Sequence, residues 1–488
     1  MSTLDYNLIE YSFEFSYLWQ MVQNLENKRS TCYNHSNKFI YGGSMFQFKN
    51  NLQLGVATAS AQIEGGEVGS NWNTYSDAGK ISDGSNIKRA NDHWNRYKED
   101  AELLSSLGIR NYRMSVEWAR IEPKQGEFDY GAIQHYRKEI QYLHSLGISV
   151  LVTLYHFSHP QWFEDMGAFA STKNIDVFLR FVHFAVEQLG DLVSEWCTLN
   201  EPNVYAVNSF MLGEWLNEEK NLRKTIKVMN IFIACHLESY RLIHDIAHEK
   251  AFAEPSVSLA MHYRHFDPLN NSLIDKIGAN KLNFLFQEGM FRACATGKFT
   301  FPFKNIRHFE KGQYIDFIAL NYYTRGLVDK FSDTVKQDAY KNDLGWEIYP
   351  EGIVKSMQNM YGIIKLPIRI TENGTCDNND SFRPLYIYEH LKAITESELP
   401  VTHYYHWCFV DNFEWKEGEL PRFGLVHCNY DTQERTLKHS AYMYKEMIAE
   451  NGVSDEIYKK YVEGCKYHKG ENNILRGILS DEELVNKR

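Results

Sequence analysis

The run Glu195-Trp196-Cys197-Thr198-Leu199-Asn200-Glu201-Pro202 is an apolar, strand-like segment that ends on a carboxylate, and Ile368-Arg369-Ile370-Thr371-Glu372-Asn373-Gly374 repeats this arrangement far downstream. Asp and Glu are usually exposed, so a glutamate that closes an apolar run requires an explanation. Each one alone fits a strand-end or helix-cap carboxylate equally well. Together they are typical of acetal cleavage, in which one carboxyl group protonates the leaving oxygen and another stabilises or traps the oxocarbenium ion.

Runs of this kind, rich in β-branched and aromatic residues, recur at fairly even spacing. They predict strands at Gln53–Ser60, Asn111–Trp118, Ser149–His156, Glu195–Glu201, Val257–Arg264, Phe317–Thr324, Ile368–Gly374 and Thr402–Phe409. Amphipathic helical patterns lie between several of them, at Trp94–Leu107, Ile133–Leu146, Ile175–Leu189 and Thr225–Ile246. Strands that alternate with helices imply a parallel sheet, and eight such units close into a (β/α)8 barrel. In that fold the chemistry lies at the carboxyl ends of the strands, where Glu201 and Glu372 fall.

The predicted architecture is a single α/β domain. Residues 46–451 form the TIM barrel, residues 1–45 are an N-terminal extension of unknown role, and residues 452–488 are a charged C-terminal tail. No Pro/Gly/Ser-rich linker and no internal repeat divides the chain. Gly108 and Gly147 follow two predicted helices, where positive φ suits a residue without Cβ. The longer connections, between the fifth and sixth strands and between the sixth and seventh, are predicted insertions that shape a substrate mouth.

Composition and charge exclude several classes of function. The 488 residues are 43% hydrophobic and carry a formal net charge of −11, so no basic surface is expected for nucleic acid or an anionic membrane. The eight cysteines are scattered, with no CxxC pair and no His spacing typical of zinc, so neither a metal nor a cofactor is predicted. The chain shows no signal-peptide pattern and no run of roughly 18 apolar residues. A cytoplasmic location is therefore expected, whereas the oligomeric state cannot be read.

A set of short motifs accompanies the two glutamates. Along the chain they are GVATASAQIEG at 55–65, YRMSVEWARI at 112–121, TLNEP at 198–202, LNYY at 320–323, ITENG at 370–374, DNFEW at 411–415 and RFGL at 422–425. Each is short enough to occur by chance, but the whole ordered set on the predicted strands is specific. From about Leu54 to about Met447 the chain resembles glycoside hydrolase family 1, the β-glucosidase and β-galactosidase family of retaining enzymes.

The resemblance implies roles for the residues at the motif positions. Glu201 corresponds to the general acid/base and Glu372 to the nucleophile of a double displacement. A retaining mechanism needs carboxyl groups about 5–5.5 Å apart, which the ends of the fourth and seventh strands can supply across a barrel mouth. By resemblance Arg113 and Tyr323 support the nucleophile, because a cation and a hydroxyl donor keep a carboxyl group ionised.

Further residues match the family positions that bind the substrate. Each buried sugar hydroxyl needs a hydrogen-bond partner, and an aromatic ring can support the apolar sugar face. The matching residues are Gln62, His156, Asn200, Asn321, Trp407, Glu414, Trp415 and Phe423, with Trp346 at the platform for the leaving sugar. Considered alone, Gln62 and His156 are ordinary strand-end polar residues and Trp407 is barrel filling, but the ordered motifs favour sugar binding. Asn321 and Phe423 fit a supporting role as well as direct contact.

The substrate class follows from two acidic residues. Relatives that take 6-phosphosugars replace the acidic residue of DNFEW by a small polar one, whereas Glu414 is present here and its charge would repel a phosphate. The intact Glu201 argues against the thioglucosidase branch, which lacks this acid. We therefore predict a retaining β-glycosidase for unphosphorylated β-D-glucosides, with β-galactosides and β-fucosides as alternatives. A transglycosylase with the same site and a non-catalytic sugar-binding protein are the rival interpretations.

Two positions depart from the common family pattern. Phe157 follows His156 where many relatives have Trp, which keeps an aromatic wall but removes an N–H donor. Glu117, before Trp118, is a variant present in only part of the family, and the sequence assigns it no role. Both positions lie near the predicted strand ends and therefore near the predicted site.

Overall fold

The computed structural model of the protein describes residues 45–469. Residues 1–44 of the predicted extension and residues 470–488 of the predicted tail lie outside the described residues. Among those described, eight parallel strands close into a barrel in which each strand pairs with its neighbours along the chain and the last pairs with the first. The predicted (β/α)8 barrel is confirmed.

The barrel strands fall on the apolar runs. They are β1 (Gln53–Ala57), β2 (Asn111–Ser115), β3 (Ser149–Thr153), β4 (Glu195–Asn200), β5 (Ser256–His262), β6 (Ile318–Asn321), β7 (Ile368–Asn373) and β8 (Val401–Trp407). Strands of a parallel barrel are covered on both faces, so neighbouring residues of one strand can all be buried instead of alternating between buried and exposed. In β3, for example, the consecutive residues Val150, Leu151 and Val152 are all buried.

A main helix follows each strand on the outside of the barrel. These helices are α1 (His93–Ser106), α2 (Tyr130–Ser145), α3 (Ile175–Leu189), α4 (Leu222–Lys250), α5 (Leu273–Leu282, continued by the π-helical Asn283–Glu288 and by Gly289–Thr296), α6 (Glu351–Ile363), α7 (Arg383–Glu396) and α8 (His439–Glu450). Shorter helices occur at Ser60–Ile63, Asn71–Asp77, Trp118–Ile121, Gln161–Asp165, Pro202–Val207 and Asp455–Ile457. The four helices predicted from amphipathic patterns correspond to α1 to α4.

Local sequence explains where these helices begin and end. The Asp129 side chain accepts hydrogen bonds from the backbone N–H groups of Gly131 and Ala132 and so caps the start of α2. Beyond the ends of α1 and α2, Gly108 and Gly147 have φ of +75° and +73°. Residues with a Cβ are strained in this region, so the predicted role of both glycines is confirmed.

Small side chains line the inside of the barrel. An interior cluster contains residues from six of the eight strands, namely Ala57, Leu151, Cys197, Ala260, Ala319 and Tyr405. Arg113 of β2 is fully buried within the same interior. The small residues leave space for this long, charged side chain, which would otherwise be expected at the surface.

The longer connections and the chain ends carry small extra sheets. In the β5–β6 and β6–β7 connections, strand Gly326–Asp329 pairs with Phe266–Pro268 and with Ser332–Thr334. Phe46–Gln47, which precedes the barrel, pairs with Gly452–Val453. In the described part of the predicted tail, His468–Lys469 pairs with Tyr340–Lys341.

Candidate active site

Every site residue predicted from the sequence lies at the carboxyl end of the barrel. Arg113, Asn200, Asn321, Glu372 and Trp407 lie in β2, β4, β6, β7 and β8; Gln62, His156, Glu201 and Tyr323 follow β1, β3, β4 and β6; Trp346 lies between β6 and α6; and Glu414, Trp415 and Phe423 lie between β8 and α8. All strands of a parallel barrel end at the same rim, so residues far apart in sequence meet there. The contacts described below join them into one site.

Glu372 is held by two hydrogen-bond donors. The Arg113 guanidinium pairs with Oε1, and the Tyr323 hydroxyl donates to Oε2 at 2.6 Å. The residue is only 3% exposed. Burial raises the pKa of the Glu372 carboxyl to about 7, whereas Arg113 lowers it and the charge of Glu201 raises it. The two donors therefore favour the ionised form in surroundings that otherwise oppose it.

Glu201 occupies a bend between β4 and the helix Pro202–Val207. Its φ is +41°, a conformation that non-glycine residues adopt rarely and mostly where the surrounding structure holds them. The backbone N–H donates to the Ala260 carbonyl oxygen at 2.8 Å. The side-chain Oε1 lies 2.9 Å from Asn321 Nδ2 and 3.1 Å from His262 Nδ1. The bend thus directs the carboxyl group towards the ends of β5 and β6.

A hydrogen-bond network connects the two glutamates. Besides pairing with Glu372, Arg113 donates from Nη2 to Asn200 Oδ1 at 2.7 Å. Asn321 Nδ2 donates to the same Asn200 oxygen at 3.0 Å and to Glu201 Oε1 at 2.9 Å. Asn321 Oδ1 accepts from the Thr371 hydroxyl at 2.7 Å. Each member is buried, so the network holds both carboxyl groups in a fixed relation.

Two polar atoms at the site lack a partner within the described residues. They are His156 Nδ1 and Gln62 Oε1, and both are buried. His156 Nε2 accepts from Asn200 Nδ2 at 2.9 Å, so Nδ1 carries the proton of the neutral ring. Burial and the nearby Arg113 hold the pKa of His156 well below its usual range. A donor and an acceptor left unpaired in a buried site are suited to the hydroxyl groups of a ligand.

Aromatic rings form one wall of the site. The His156 ring stacks at 5.8 Å from Trp407 and at 6.0 Å from Trp415, measured between ring centroids. Phe157 is buried at 5.3 Å from Trp415 and 5.1 Å from Trp215. Phe157 therefore belongs to the aromatic wall, as the sequence predicts, and Trp215 adds a ring that the sequence pattern did not single out.

A close backbone contact holds this wall against the strand of Glu372. A Cβ atom on Gly374 would lie 1.7 Å from the Trp407 carbonyl oxygen. Because no side chain fits in that space, glycine is required two residues after Glu372. The ITENG motif therefore includes glycine for a packing reason.

Glu414 lies half-buried beside Gln62. Gln62 Nε2 donates to the Phe413 carbonyl oxygen at 2.7 Å and lies 3.5 Å from Glu414 Oε2. Burial, together with the charges of Glu372 and Glu201, raises the pKa of Glu414 to about 8. These surroundings therefore favour the protonated form of the Glu414 carboxyl group. The substrate prediction from the sequence needs a charged Glu414, whereas its surroundings oppose ionisation.

Three rings flank the opposite side of the site. Trp346 is half-buried, with its ring centroid 5.9 Å from those of Tyr323 and Phe423. Tyr323 and Phe423 lie 6.3 Å apart. Because Tyr323 also donates to Glu372, this group places the partly exposed face of Trp346 close to the buried carboxyl groups.

A profile of the family described as "Glycosyl hydrolase family 1" matches residues 45–453 of the chain. The chain belongs to glycosyl hydrolase family 1. Beta-glucosidase A of Acetivibrio thermocellus is 32% identical over 462 residues, which cover 84% of this chain and 100% of that protein. The family 1 assignment makes this protein a glycoside hydrolase.

Solved structures of family 1 proteins share the fold. A β-glycosidase from Pyrococcus horikoshii has a TM-score of 0.77 and 31% identity, covering 86% of this chain and 98% of its own. A β-glucosidase from Thermotoga maritima, solved in complex with glucoimidazole, has a TM-score of 0.75 and 29% identity, covering 83% of this chain and 100% of its own. In the described part of this family 1 chain, no helix has the length and apolar character needed to span a membrane.

The structure adds two residues that the motif pattern did not assign in this family 1 enzyme. Glu117 accepts from the Ser158 hydroxyl at 2.9 Å and the Ser60 hydroxyl at 3.4 Å, and so ties the segments that carry His156 and Gln62. Burial raises its pKa to about 7. His262, at the end of β5, contacts Glu201. One feature of the sequence could have indicated His262: it is a polar residue at the end of an apolar strand, the same feature that singled out Glu201.

Proposed function

We propose that this family 1 enzyme is a retaining β-glycosidase that hydrolyses unphosphorylated β-D-glucosides by double displacement. Glu372 is the nucleophile, Glu201 is the general acid/base, and Arg113 and Tyr323 support the nucleophile. The observation that carries the proposal is that two buried carboxyl groups, one paired with Arg113, are tied into a single hydrogen-bond network. The charge of Glu201 influences the pKa of Glu372, as expected for carboxyl groups that act on the same bond.

The reaction proceeds in two balanced steps. First Glu372 attacks C1 of the glucoside, the C1–O bond breaks, and the proton of Glu201 moves to the leaving oxygen, which departs as an alcohol. Then Glu201 takes a proton from water, the water oxygen attacks C1, and the Glu372 carboxylate leaves. The product is glucose in the β configuration, and both carboxyl groups return to their starting states.

The sugar binds between the unpaired polar atoms and the aromatic wall. His156 Nδ1 donates to one hydroxyl and Gln62 Oε1 accepts from another, because neither atom has a partner in the described residues. Glu414 and the Trp415 indole bind further hydroxyls, and the apolar sugar face lies on Trp407. Asn200 binds the 2-hydroxyl, whose contact strengthens in the transition state.

A substrate panel tests the proposed activity. The names of the relatives, a β-glucosidase and a β-glycosidase, support glucosides as the first class to measure. The panel contains aryl β-glucoside, β-galactoside, β-fucoside and 6-phospho-β-glucoside, and we expect the highest kcat/KM for the unphosphorylated glucoside. Product analysis with added alcohol separates hydrolysis from glycosyl transfer. A faster reaction of the 6-phospho compound would overturn the substrate assignment.

Glu414→Ser is predicted to change the substrate preference. Loss of a buried carboxyl partner should cost the neutral glucoside about 2–3 kcal/mol of transition-state stabilisation. The 6-phospho-β-glucoside should lose less transition-state stabilisation, because the substitution also removes a carboxyl group that repels the phosphate when it is ionised. With the wild-type enzyme the preference for the neutral sugar should increase as pH rises past about 8, where Glu414 ionises. If the ratio of kcat/KM for the neutral and 6-phospho glucosides is the same in Glu414→Ser as in the wild type, Glu414 does not set the substrate preference. A ratio that falls with rising pH in the wild type would lead to the same conclusion.

Tyr323→Phe is predicted to shift the pH dependence of the reaction. Burial raises the pKa of Glu372 to about 7 and the Tyr323 hydroxyl acts against that rise, so removing the hydroxyl raises the pKa further. Since the nucleophile must be ionised, kcat/KM falls below the pKa, and this acid limb should move to higher pH. Tyr322→Phe is the matched control, because its hydroxyl donates instead to the Tyr349 carbonyl oxygen at 2.6 Å. If the acid limb of kcat/KM lay at the same pH in both variants, Tyr323 would not be the residue that supports ionisation of Glu372.

A further inference from the structure

We propose that His262 is a positioning residue for the acid/base: by donating to Oε1 of Glu201, it reserves Oε2 as the oxygen that carries the proton. The inference rests on the role proposed above for Glu201. It concerns a contact at the end of β5, where the His262 ring lies with Nδ1 3.1 Å from Glu201 Oε1.

The direction of the hydrogen bond between Asn321 and Glu201 can be deduced from Arg113. A guanidinium only donates, so the Asn200 atom that lies 2.7 Å from Arg113 Nη2 must be the carbonyl oxygen. The Asn321 atom 3.0 Å from that oxygen must then be an amide nitrogen. The same nitrogen lies 2.9 Å from Glu201 Oε1, so it donates its second hydrogen there. Glu201 Oε1 is therefore an acceptor.

The proposal concerns the second contact of Oε1, with His262. A carbonyl oxygen has two lone pairs and is a better acceptor than the hydroxyl oxygen of a protonated carboxyl group. The proposal assigns the proton of the neutral His262 ring to Nδ1, so that Asn321 occupies one lone pair of Oε1 and His262 Nδ1–H the other. Within residues 45–469 no hydrogen bond reaches Glu201 Oε2. The proton of the acid form therefore lies on Oε2, the oxygen left free to meet the glycosidic oxygen.

The His262 ring is itself held in place. It stacks on Tyr323, with centroids 6.0 Å apart and planes 17° from parallel, and meets the edge of Phe286 at 6.0 Å. The His262 carbonyl oxygen accepts from Asn203 Nδ2 at 2.8 Å. Tyr323 is the residue that donates to Glu372, so the stacked pair of His262 and Tyr323 contacts both carboxyl groups of the site. A fixed ring can hold the carboxyl orientation, whereas a mobile one could not.

Loss of this donor has a defined consequence. Without His262 Nδ1–H, the contacts of Oε1 and Oε2 are more alike. The proton is then found on either oxygen, and the carboxyl group of Glu201 can rotate about its Cγ–Cδ bond. Only molecules with the proton on Oε2 can protonate the leaving group. The loss of kcat/KM should therefore be large for substrates whose leaving group must be protonated. It should be small for substrates whose leaving group departs without a proton.

The test compares His262→Phe with His262→Asn. Phenylalanine keeps an aromatic ring against Tyr323 but has no donor, whereas asparagine supplies an amide N–H near the position of Nδ1. We expect His262→Phe to lower kcat/KM about tenfold for methyl β-D-glucoside and less than about twofold for the 2,4-dinitrophenyl glucoside. His262→Asn should restore most of the loss on the methyl glucoside. Should His262→Phe fail to fold, His262→Leu serves as the variant without a donor.

The outcomes separate this inference from the proposed function. Glu201→Ala is measured on the same two substrates. If Glu201→Ala lowers both substrates equally, the acid/base role of Glu201 is wrong. If Glu201→Ala shows the leaving-group dependence but the variant without a donor lowers both substrates equally, or asparagine does not restore activity, then His262 does not position Glu201.

Discussion

Glu372→Ala is expected to lower kcat on unactivated β-glucosides by on the order of 10⁵-fold, because it removes the carboxylate that we propose attacks C1. Azide should restore turnover and give the α-glycosyl azide, since the small anion enters from the face that Glu372 occupied. The measurement is the initial rate with and without azide, together with the anomeric configuration of the product. A β-configured azide, or near-normal activity, would show that Glu372 is not the nucleophile.

The control for this variant must separate chemistry from folding. Glu372 is buried against Arg113, so its removal leaves a buried guanidinium that retains the Thr371 carbonyl and Asn200 Oδ1 as acceptors. We expect a folded protein with a lowered Tm. Glu195→Ala is the matched control, because Glu195 pairs with Arg369 at 2.8 Å at the start of β4. It should lose stability but retain kcat/KM, since it lies at the opposite end of the barrel.

Glu201→Ala should produce a loss that depends on the leaving group. Acid catalysis contributes typically 10²–10⁴-fold, so a disaccharide or alkyl glucoside should lose roughly that factor in the glycosylation step. A 2,4-dinitrophenyl glucoside, whose leaving group needs little protonation, should react with Glu372 nearly as before. Azide should now accelerate the second step and give the β-glycosyl azide, because it attacks the glycosyl-enzyme from the open face.

Pre-steady-state and product measurements check this prediction. A burst of dinitrophenol followed by slow turnover is expected, because the second step has lost its base. Glu201→Gln is the isosteric companion, which keeps the contacts of Oε1 with Asn321 and His262. Similar losses on activated and unactivated substrates would mean that Glu201 is not the acid/base.

Glu372→Ala and Glu201→Ala change opposite ends of the hydrogen-bond network that connects the two glutamates. Arg113 touches Glu372 and Asn200, and Asn321 touches Asn200 and Glu201. Substitution at either end therefore removes a contact from the same chain of residues, and the two losses should not add. A double variant with a loss equal to the product of the single losses would show that the carboxyl groups act independently.

The sequence alone determined the architecture and singled out the two carboxylates that we propose as catalytic. Both follow from local patterns: apolar runs between amphipathic segments specify strands and helices, and Glu201 and Glu372 close two of these runs. The order of strands around a parallel barrel follows the order of the chain, so strand ends meet without further information. Gly108 and Gly147 are predictable for the same reason, because a helix end needs positive φ regardless of its neighbours.

The tertiary structure alone decided the electrostatics and the contacts of the site. The raised pKa of Glu414 depends on burial and on the charges of Glu372 and Glu201, which are distant in sequence. The contact of His262 with Glu201 depends on how β5 and β4 end beside each other, and no motif records that. A pKa and a hydrogen-bond direction are properties of the whole surroundings of an atom, so they appear only when the strands are assembled.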